Sequence, residues 1–293
     1  MTRRFRTYRD LDEPAGAGLA DQVEAQRARL RARLASVRSI VVTASGKGGV
    51  GKSFVAAHLA RMLVAQDCRV GALDADLNGP SLPALLGVAR TPLRVDEHGV
   101  HPAPSSAGCL VMSSDLLLAS PDAPVRWRGA ADVGHLAQSV IETGAVREFL
   151  SDVVWGELDV LVIDLPPGTD RILRMVELLP RIDLMLLVTT PSRATQAVVA
   201  RARTLVAETG VRCGVVSNMH DYECPVCRAR TPLFRSTTAV SDDGAWATIP
   251  FDPCAADATD RGDPLPPESA AADALGALAA RVSAALARPE VNG

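Results

Sequence analysis

Short, almost uninterrupted apolar segments recur along the chain and alternate with longer segments of helical periodicity. The apolar segments are rich in Val, Ile and Leu, as expected of parallel strands that are buried on both faces. The strands are predicted at residues 40–43, 70–74, 109–112, 160–163, 184–189 and 213–217, and helices between them at 52–66, 130–149, 170–179 and 195–209. This alternation predicts an α/β fold of three layers (α/β/α), in which helices cover both faces of a doubly wound, mostly parallel sheet.

Two terminal segments complete the predicted organisation. Residues 1–38 form an N-terminal extension, and its second half has an Arg-rich helical pattern with Leu30 and Leu34 four positions apart. We expect that helix to be solvated or packed on the protein. The main domain spans residues 39–293 and ends in an Ala-rich helix near 269–286, which lacks the basic face of a membrane-surface anchor.

Composition excludes several classes of function. Apolar residues make up 47% and charged residues 22% of the 293 positions, which is typical of a soluble globular protein. An aromatic content of 3% and a net charge of −3 argue against a nucleic-acid partner. The chain has neither an apolar run long enough for a membrane span nor a signal-peptide pattern. We therefore predict a cytoplasmic protein without a membrane partner, whose six cysteines are thiols or metal ligands.

The clearest chemical motif is a glycine-rich loop between the first predicted strand and the following helix. It consists of Gly46, Lys47, Gly48, Gly49, Val50, Gly51, Lys52 and Ser53, and it contains the only two lysines among 31 basic residues. Glycines let backbone N–H groups surround phosphate oxygens at a helix N-terminus. In such a P-loop the lysine at position 52 should reach the β- and γ-phosphates of ATP, and the Ser53 hydroxyl should bind Mg²⁺.

Three aspartates follow predicted strands near this loop. Asp164 ends the strand at 160–163, where a P-loop enzyme places a carboxylate for Mg²⁺. Asp74 and Asp76 follow the strand at 70–74, and alternate side chains of an extended segment point to the same side. We assign Asp74 to Mg²⁺ and Asp76 to the attacking water, and the reverse assignment fits the pattern almost as well.

A second motif, Cys224-Pro225-Val226-Cys227, follows the last predicted strand. Its spacing lets two thiolates bind one metal centre, and two chains related by a two-fold axis would supply four thiolates. The residues alone leave zinc and an iron–sulfur cluster equally compatible with the pair. A redox disulfide or a chance pairing also remains open, whereas Cys68, Cys109, Cys213 and Cys254 are interpreted as structural thiols.

Taken together, these motifs resemble those of the Mrp/ApbC family of iron–sulfur cluster carrier ATPases, which belongs to the MinD/ParA-like superfamily. The resemblance spans about residues 39–267. Besides the P-loop and the cysteine pair, the segments that carry it are Asp74-Ala75-Asp76-Leu77-Asn78-Gly79-Pro80-Ser81, Trp127-Arg128-Gly129, Ile163-Asp164-Leu165-Pro166-Pro167-Gly168-Thr169, Thr189-Thr190-Pro191 and Asn218-Met219.

The resemblance implies a homodimer that hydrolyses ATP slowly and passes a [4Fe–4S] cluster, held by two cysteines of each subunit, to apo iron–sulfur proteins. It implies that Asn218 recognises adenine, and that Lys47 crosses the dimer interface to the partner's ATP as an arginine finger does. Two alternatives remain at this stage. One is a spatial regulatory ATPase of the MinD/ParA type, and the other is an ATPase with structural zinc at the dimer interface.

Overall fold

A computed structural model describes residues 18–118, 135–224, 226–234 and 244–287. Within these ranges the α-helices are α1 (Gly18–Leu34), α2 (Lys52–Val64), α3 (Leu82–Leu85), α4 (His135–Asp152), α5 (Thr169–Leu178), α6 (Arg193–Glu208), α7 (Pro253–Asp260) and α8 (Ala270–Leu286). The strands are β1 (Val37–Ala44), β2 (Val70–Asp74), β3 (Val95–Asp96), β4 (Gly99–Val100), β5 (Ala103–Pro104), β6 (Leu110–Met112), β7 (Leu158–Asp164), β8 (Leu184–Thr189), β9 (Cys213–Ser217), β10 (Asp221–Glu223), β11 (Arg230–Pro232) and β12 (Ala245–Thr248). Several positions named from the sequence lie outside the described residues, namely 1–17, Trp127, Arg128, Gly129, 130–134 and Pro225.

The central sheet confirms the predicted fold class. Its strand order is β12-β9-β8-β1-β7-β2-β6-β5, and all neighbouring strands are parallel except β5 and β6. The six strands predicted from apolar runs fill the six inner positions. The two edge strands, β12 and β5, were not predicted.

The core lies on both faces of this sheet because side chains alternate along each strand. In β1, Ile40 and Val42 belong to a hydrophobic cluster that includes residues of α1, α4, α5 and α6, whereas Val41 belongs to a second cluster formed with α2, α3, α7 and α8. The helical layers on the two faces therefore confirm the three-layer architecture.

The N-terminal helix is part of the packed structure. Helix α1 contacts α4, and its apolar residues Leu30 and Leu34 are 3% and 2% exposed. Of the two interpretations made from the sequence, packing on the protein is confirmed for this segment. Among the described residues, no helix combines the length and the apolarity needed to cross a membrane.

The parallel arrangement brings functional segments to one edge of the sheet. The carboxyl ends of β1, β2 and β7 are adjacent, with Thr43 and Asp74 both in register with Asp164. Backbone bonds extend this alignment past the strand ends, from Ala75 N–H to Asp164 C=O at 2.9 Å and from Leu165 N–H to Thr43 C=O at 3.0 Å. Ligands of open parallel sheets bind at this edge.

Candidate functional site

The glycine-rich loop has the backbone conformation that its sequence demands. Gly49 and Gly51 have φ angles of +78° and +76°, in the left-handed region that favours glycine. Gly51 is the residue immediately before α2, so the loop turns directly into that helix N-terminus. The helix dipole and its unpaired N–H groups favour an anion at this position.

Lys52, Ser53 and Asp164 meet beside the loop. The Lys52 ammonium lies 2.7 Å from Asp164 Oδ1, and the Ser53 hydroxyl donates to Asp164 Oδ2 at 2.5 Å. The side chains of Lys52 and Asp164 are only 7% and 0% exposed. A hydroxyl and a carboxylate are hard oxygen ligands of the type that Mg²⁺ prefers, so this donor set fits the predicted metal.

Asp74 lies next to Asp164 in the adjacent strand and is 1% exposed. Its Oδ2 accepts hydrogen bonds from the N–H groups of Ser81 and Leu82, and its Oδ1 accepts one from Asp76 N–H. Burial, followed by the charge of Asp164, raises the pKa of Asp74 to about 7. Because its carboxylate accepts these three backbone hydrogen bonds, Asp74 fixes the shape of the loop that carries Asp76.

Asp76 lies in that loop, two positions after the end of β2. It is half-buried, and its Oδ1 accepts a hydrogen bond from Gly79 N–H at 3.2 Å. The structure thus places Asp74, Asp76 and Asp164 around the ends of β2 and β7, whereas the roles assigned to them stay predictions.

Asn218 is bonded to the glycine-rich loop itself. It follows β9, is 3% exposed, and donates from Nδ2 to the carbonyl of Val50 at 3.0 Å. The approach is so close that a Cβ on Gly51 would lie 2.1 Å from Asn218 Nδ2. Sequence spacing alone gave no sign of this contact, since 168 residues separate the two partners.

Lys47 has a different environment from Lys52. It is exposed, whereas its carbonyl accepts a hydrogen bond from Ser45 Oγ at 2.9 Å. The loop therefore presents one lysine to the interior of the site and the other to the outside.

Cys224 and Cys227 lie in the turn of a small antiparallel hairpin formed by β10 and β11. The turn is closed by hydrogen bonds from Cys224 N–H to Ala229 C=O at 3.0 Å and from Arg228 N–H to Cys224 C=O at 2.9 Å. Cys224 is half-buried and Cys227 is exposed. Both thiols are free, and the exposure of Cys227 places this end of the hairpin at the protein surface.

The hairpin also favours the thiolate form of one cysteine. Hydrogen bonds to Cys224 from the backbone N–H groups of Cys227 and Val226, and then from the Cys227 side chain, lower the pKa of Cys224. A thiolate is the form that binds metals. No group of three or more His, Cys, Asp or Glu side chains suited to a metal ion occurs within the described residues.

Three further residues near the site were not identified from the sequence. Thr43 donates from Oγ1 to Asp164 Oδ1 at 2.8 Å, in addition to the contacts described above. Glu142 and Arg171 form an ion pair at 2.6 Å close to the loop of Asp76. The sequence did contain a signal for Glu142. This charged residue lies one helical turn before Val146, and therefore on the buried face of α4.

A comparison with protein families matches residues 36–283 to the ParA model described as the NUBPL iron-transfer P-loop NTPase. An iron–sulfur cluster carrier protein of Saccharolobus solfataricus is 36% identical over 251 residues, which cover 83% of this chain and 81% of the relative. The human cytosolic Fe–S cluster assembly factor NUBP2 is 38% identical over 224 residues, with 74% and 79% covered.

Solved structures agree with the fold. A nucleotide-binding protein from Archaeoglobus fulgidus in complex with ADP has a TM-score of 0.67 and 35% identity, covering 80% of this chain and 91% of that protein. The septum site-determining protein MinD from Pyrococcus horikoshii, complexed with Mg-ADP, has a TM-score of 0.56 and 20% identity, with 83% and 95% covered. The likeness to MinD concerns the fold alone.

Proposed function

The chain belongs to the ParA family of NUBPL iron-transfer P-loop NTPases, and we propose that it binds and hydrolyses MgATP while carrying an iron–sulfur cluster for apoproteins. The observation that carries this proposal is the presence of two separate sites in one chain. A P-loop with a buried Lys52–Asp164 pair lies at the carboxyl ends of the central strands. Two free cysteines, one half-buried and one exposed, lie in the hairpin after β9.

The ATP part of the proposal assigns a role to each residue at the sheet edge. The glycine-rich loop from Gly46 to Gly51 would surround the phosphates, and Lys52 would exchange its contact with Asp164 for one with phosphate oxygens. Ser53, Asp74 and Asp164 would hold Mg²⁺, which supplies charge neutralisation at the phosphates.

Hydrolysis converts ATP and water to ADP and phosphate, and we assign the orientation of the attacking water to Asp76. The exposed Lys47 would act on the ATP of a partner subunit in a homodimer. Asn218 would contact the adenine while its amide N–H group stays bonded to Val50. The ADP complex of the related Archaeoglobus fulgidus protein supports the nucleotide-binding part of this proposal, because it shows that a relative binds nucleotide.

The cluster is the cargo of the proposed carrier. Cys224 and Cys227 supply two thiolates, so two subunits would supply the four that hold a [4Fe–4S] cluster across a two-fold axis. Exposure of Cys227 and the turn of the hairpin leave the cargo accessible to an apoprotein client. The cytosolic assembly factors among the relatives support a cytoplasmic location.

Anaerobic reconstitution with iron and sulfide tests the proposal. The wild-type protein should gain a broad visible absorption band and protein-bound iron, and Cys227→Ala should lose both. The matched control is Cys254→Ala, since Cys254 is also exposed but lies outside the hairpin. Bound zinc in a colourless wild-type protein would instead support the structural-zinc alternative, to which a four-thiolate site is equally suited.

Separate substitutions distinguish the two sites. Lys52→Ala should abolish MgATP binding and leave reconstitution intact, because the lysine lies in the P-loop and not in the hairpin. Cys224→Ala should have the opposite pattern. Loss of both properties in a folded Cys224→Ala protein would contradict the assignment of two separable sites.

A further inference from the structure

Glu142 is a buried carboxylate that belongs to neither proposed site. It lies in α4 and is 7% exposed. Each of its oxygens has a different partner, since Oε1 accepts a hydrogen bond from Asn78 Nδ2 at 2.7 Å and Oε2 pairs with Arg171 Nη1 at 2.6 Å. Glu142 therefore joins two residues that are far apart in the sequence.

One partner lies in the loop that carries Asp76, and the other lies in the helix that follows Asp164. Asn78 lies in the loop after β2, two positions beyond Asp76, and Arg171 lies in the first turn of α5, which follows β7 and Asp164. Next to the strand ends, a backbone bond from Ala75 N–H to Asp164 C=O at 2.9 Å holds the two segments together. Further out, residues 75–78 and 165–166 line an open surface pocket together with Glu142 and Arg171.

The two contacts of Glu142 differ in chemistry, because Arg171 is charged and the Asn78 amide is neutral. A buried carboxylate is costly unless it is paired, so the ion pair with Arg171 stabilises the charge of Glu142 at its buried position. The Arg171 side chain is itself 25% exposed and also lies 3.6 Å from Asp170. The second oxygen of Glu142 remains free to fix the amide of Asn78, and with it the loop of Asp76.

We propose that Glu142 is a positioning residue for ATP hydrolysis, which clamps the loop of Asp76, through Asn78, to helix α5, through Arg171. The proposal rests on the ATPase function proposed above. Glu142 itself touches neither the P-loop nor the proposed Mg²⁺ ligands in the described contacts, so its removal should alter the placement of Asp76 and not the grip on ATP. A misplacement of about 1 Å in an active site lowers rates by on the order of a hundredfold.

The test compares Glu142→Gln with Glu177→Gln, which makes the same change on the exposed face of α5. Glutamine keeps the size of the side chain and an oxygen for Asn78, but it cannot form the ion pair with Arg171. We expect Glu142→Gln to lower kcat by on the order of tenfold to a hundredfold. The Kd for a non-hydrolysable ATP analogue should stay within about twofold of the wild-type value, as expected when only a catalytic orientation is lost.

A charge exchange provides the second arm. Combining Glu142→Arg with Arg171→Glu reverses the ion pair, and the Asn78 amide can present its oxygen to the new arginine. The double variant should have a higher kcat than either single variant. A kcat for Glu142→Gln equal to that of the Glu177→Gln control would overturn the proposal, and so would parallel losses of kcat and analogue binding.

Hydrogen exchange tests the clamp separately from the ATPase proposal, because the measurement needs no ATP turnover. The backbone amides of residues 76–79, 81 and 82 should exchange faster in nucleotide-free Glu142→Gln than in the wild type and the control. If exchange is faster in Glu142→Gln but neither the wild type nor the variants hydrolyse ATP, the clamp is supported and the ATPase assignment is overturned. Unchanged exchange in Glu142→Gln, with an active wild-type enzyme, would overturn the clamp alone.

Discussion

The P-loop helix contains a buried histidine whose charge state should make the stability of the protein depend on pH. His58 in α2 is 0% exposed, and its Nε2 lies 2.7 Å from Thr259 Oγ1. The Thr259 hydroxyl donates its hydrogen to Ala255 C=O at 2.6 Å, so it accepts from an N–H group of a neutral His58. The second ring nitrogen, Nδ1, is buried without a hydrogen-bond partner among the described residues.

Burial, and then the charge of Arg61, lower the pKa of His58 from 6.5 to about 3. Because the folded pKa lies below the unfolded one, the stabilising effect is fully present above pH 6.5 and is lost as the pH falls from 6.5 towards 3. One pH unit within this window corresponds to about 1.4 kcal/mol, so the change from pH 7.5 to pH 5.0 should remove about 2 kcal/mol from the free energy of unfolding.

Urea unfolding at both pH values measures this effect in the wild type and in His58→Gln, whose amide can replace the donor to Thr259. The variant should lose about 2 kcal/mol less than the wild type on acidification, and all other titrating groups cancel in the difference. The same substitution at the exposed His98 serves as a control. An equal loss in the wild type and in His58→Gln would refute the assignment of His58 as a buried neutral residue.

Two further predictions concern residues in the left-handed backbone region. Gly51→Ala should lower the melting temperature of the nucleotide-free protein more than Gly49→Ala, because both alanines strain the backbone but only the first collides with Asn218; equal melting temperatures would contradict that contact. Arg228 has a φ of 59°, so Arg228→Gly should melt at a higher temperature than Arg228→Ala, which keeps a strain of about 1–2 kcal/mol. A lower melting temperature for the glycine variant would show that the strained turn does not limit stability.

The sequence predicted the inner part of the sheet because burial on both faces leaves an apolar run that is visible without any tertiary information. The strands β2, β8 and β9 have the predicted bounds, and all three are almost completely buried. The edge strand β12 was missed because it is half-exposed and mixes Trp246 with small residues, which produces neither a continuous nor an alternating pattern.

The candidate site was predictable to the extent that its residues are close in sequence. The P-loop and the cysteine pair each occupy one short segment, whereas the contacts of Asn218 with Val50 and of Glu142 with Arg171 join distant parts of the chain. The hairpin around Cys224 was also missed. Its strands are short and polar, and Glu223 in β10 is bound by Arg228 and Arg230, so charge pairing replaces the apolar pattern of a strand.

The bond between Asn218 and Val50 connects the P-loop to the segment of chain that leads to the cysteine pair. The chain leaves the P-loop contact at Asn218 and reaches Cys224 six positions later, through β10. If nucleotide exchange moves the P-loop, this short segment of chain connects the movement to the cysteines. Whatever factor the nucleotide imposes on cluster affinity, the cluster must impose the same factor on nucleotide affinity. In such a carrier, binding of the cluster would change the affinity of the protein for ATP or ADP.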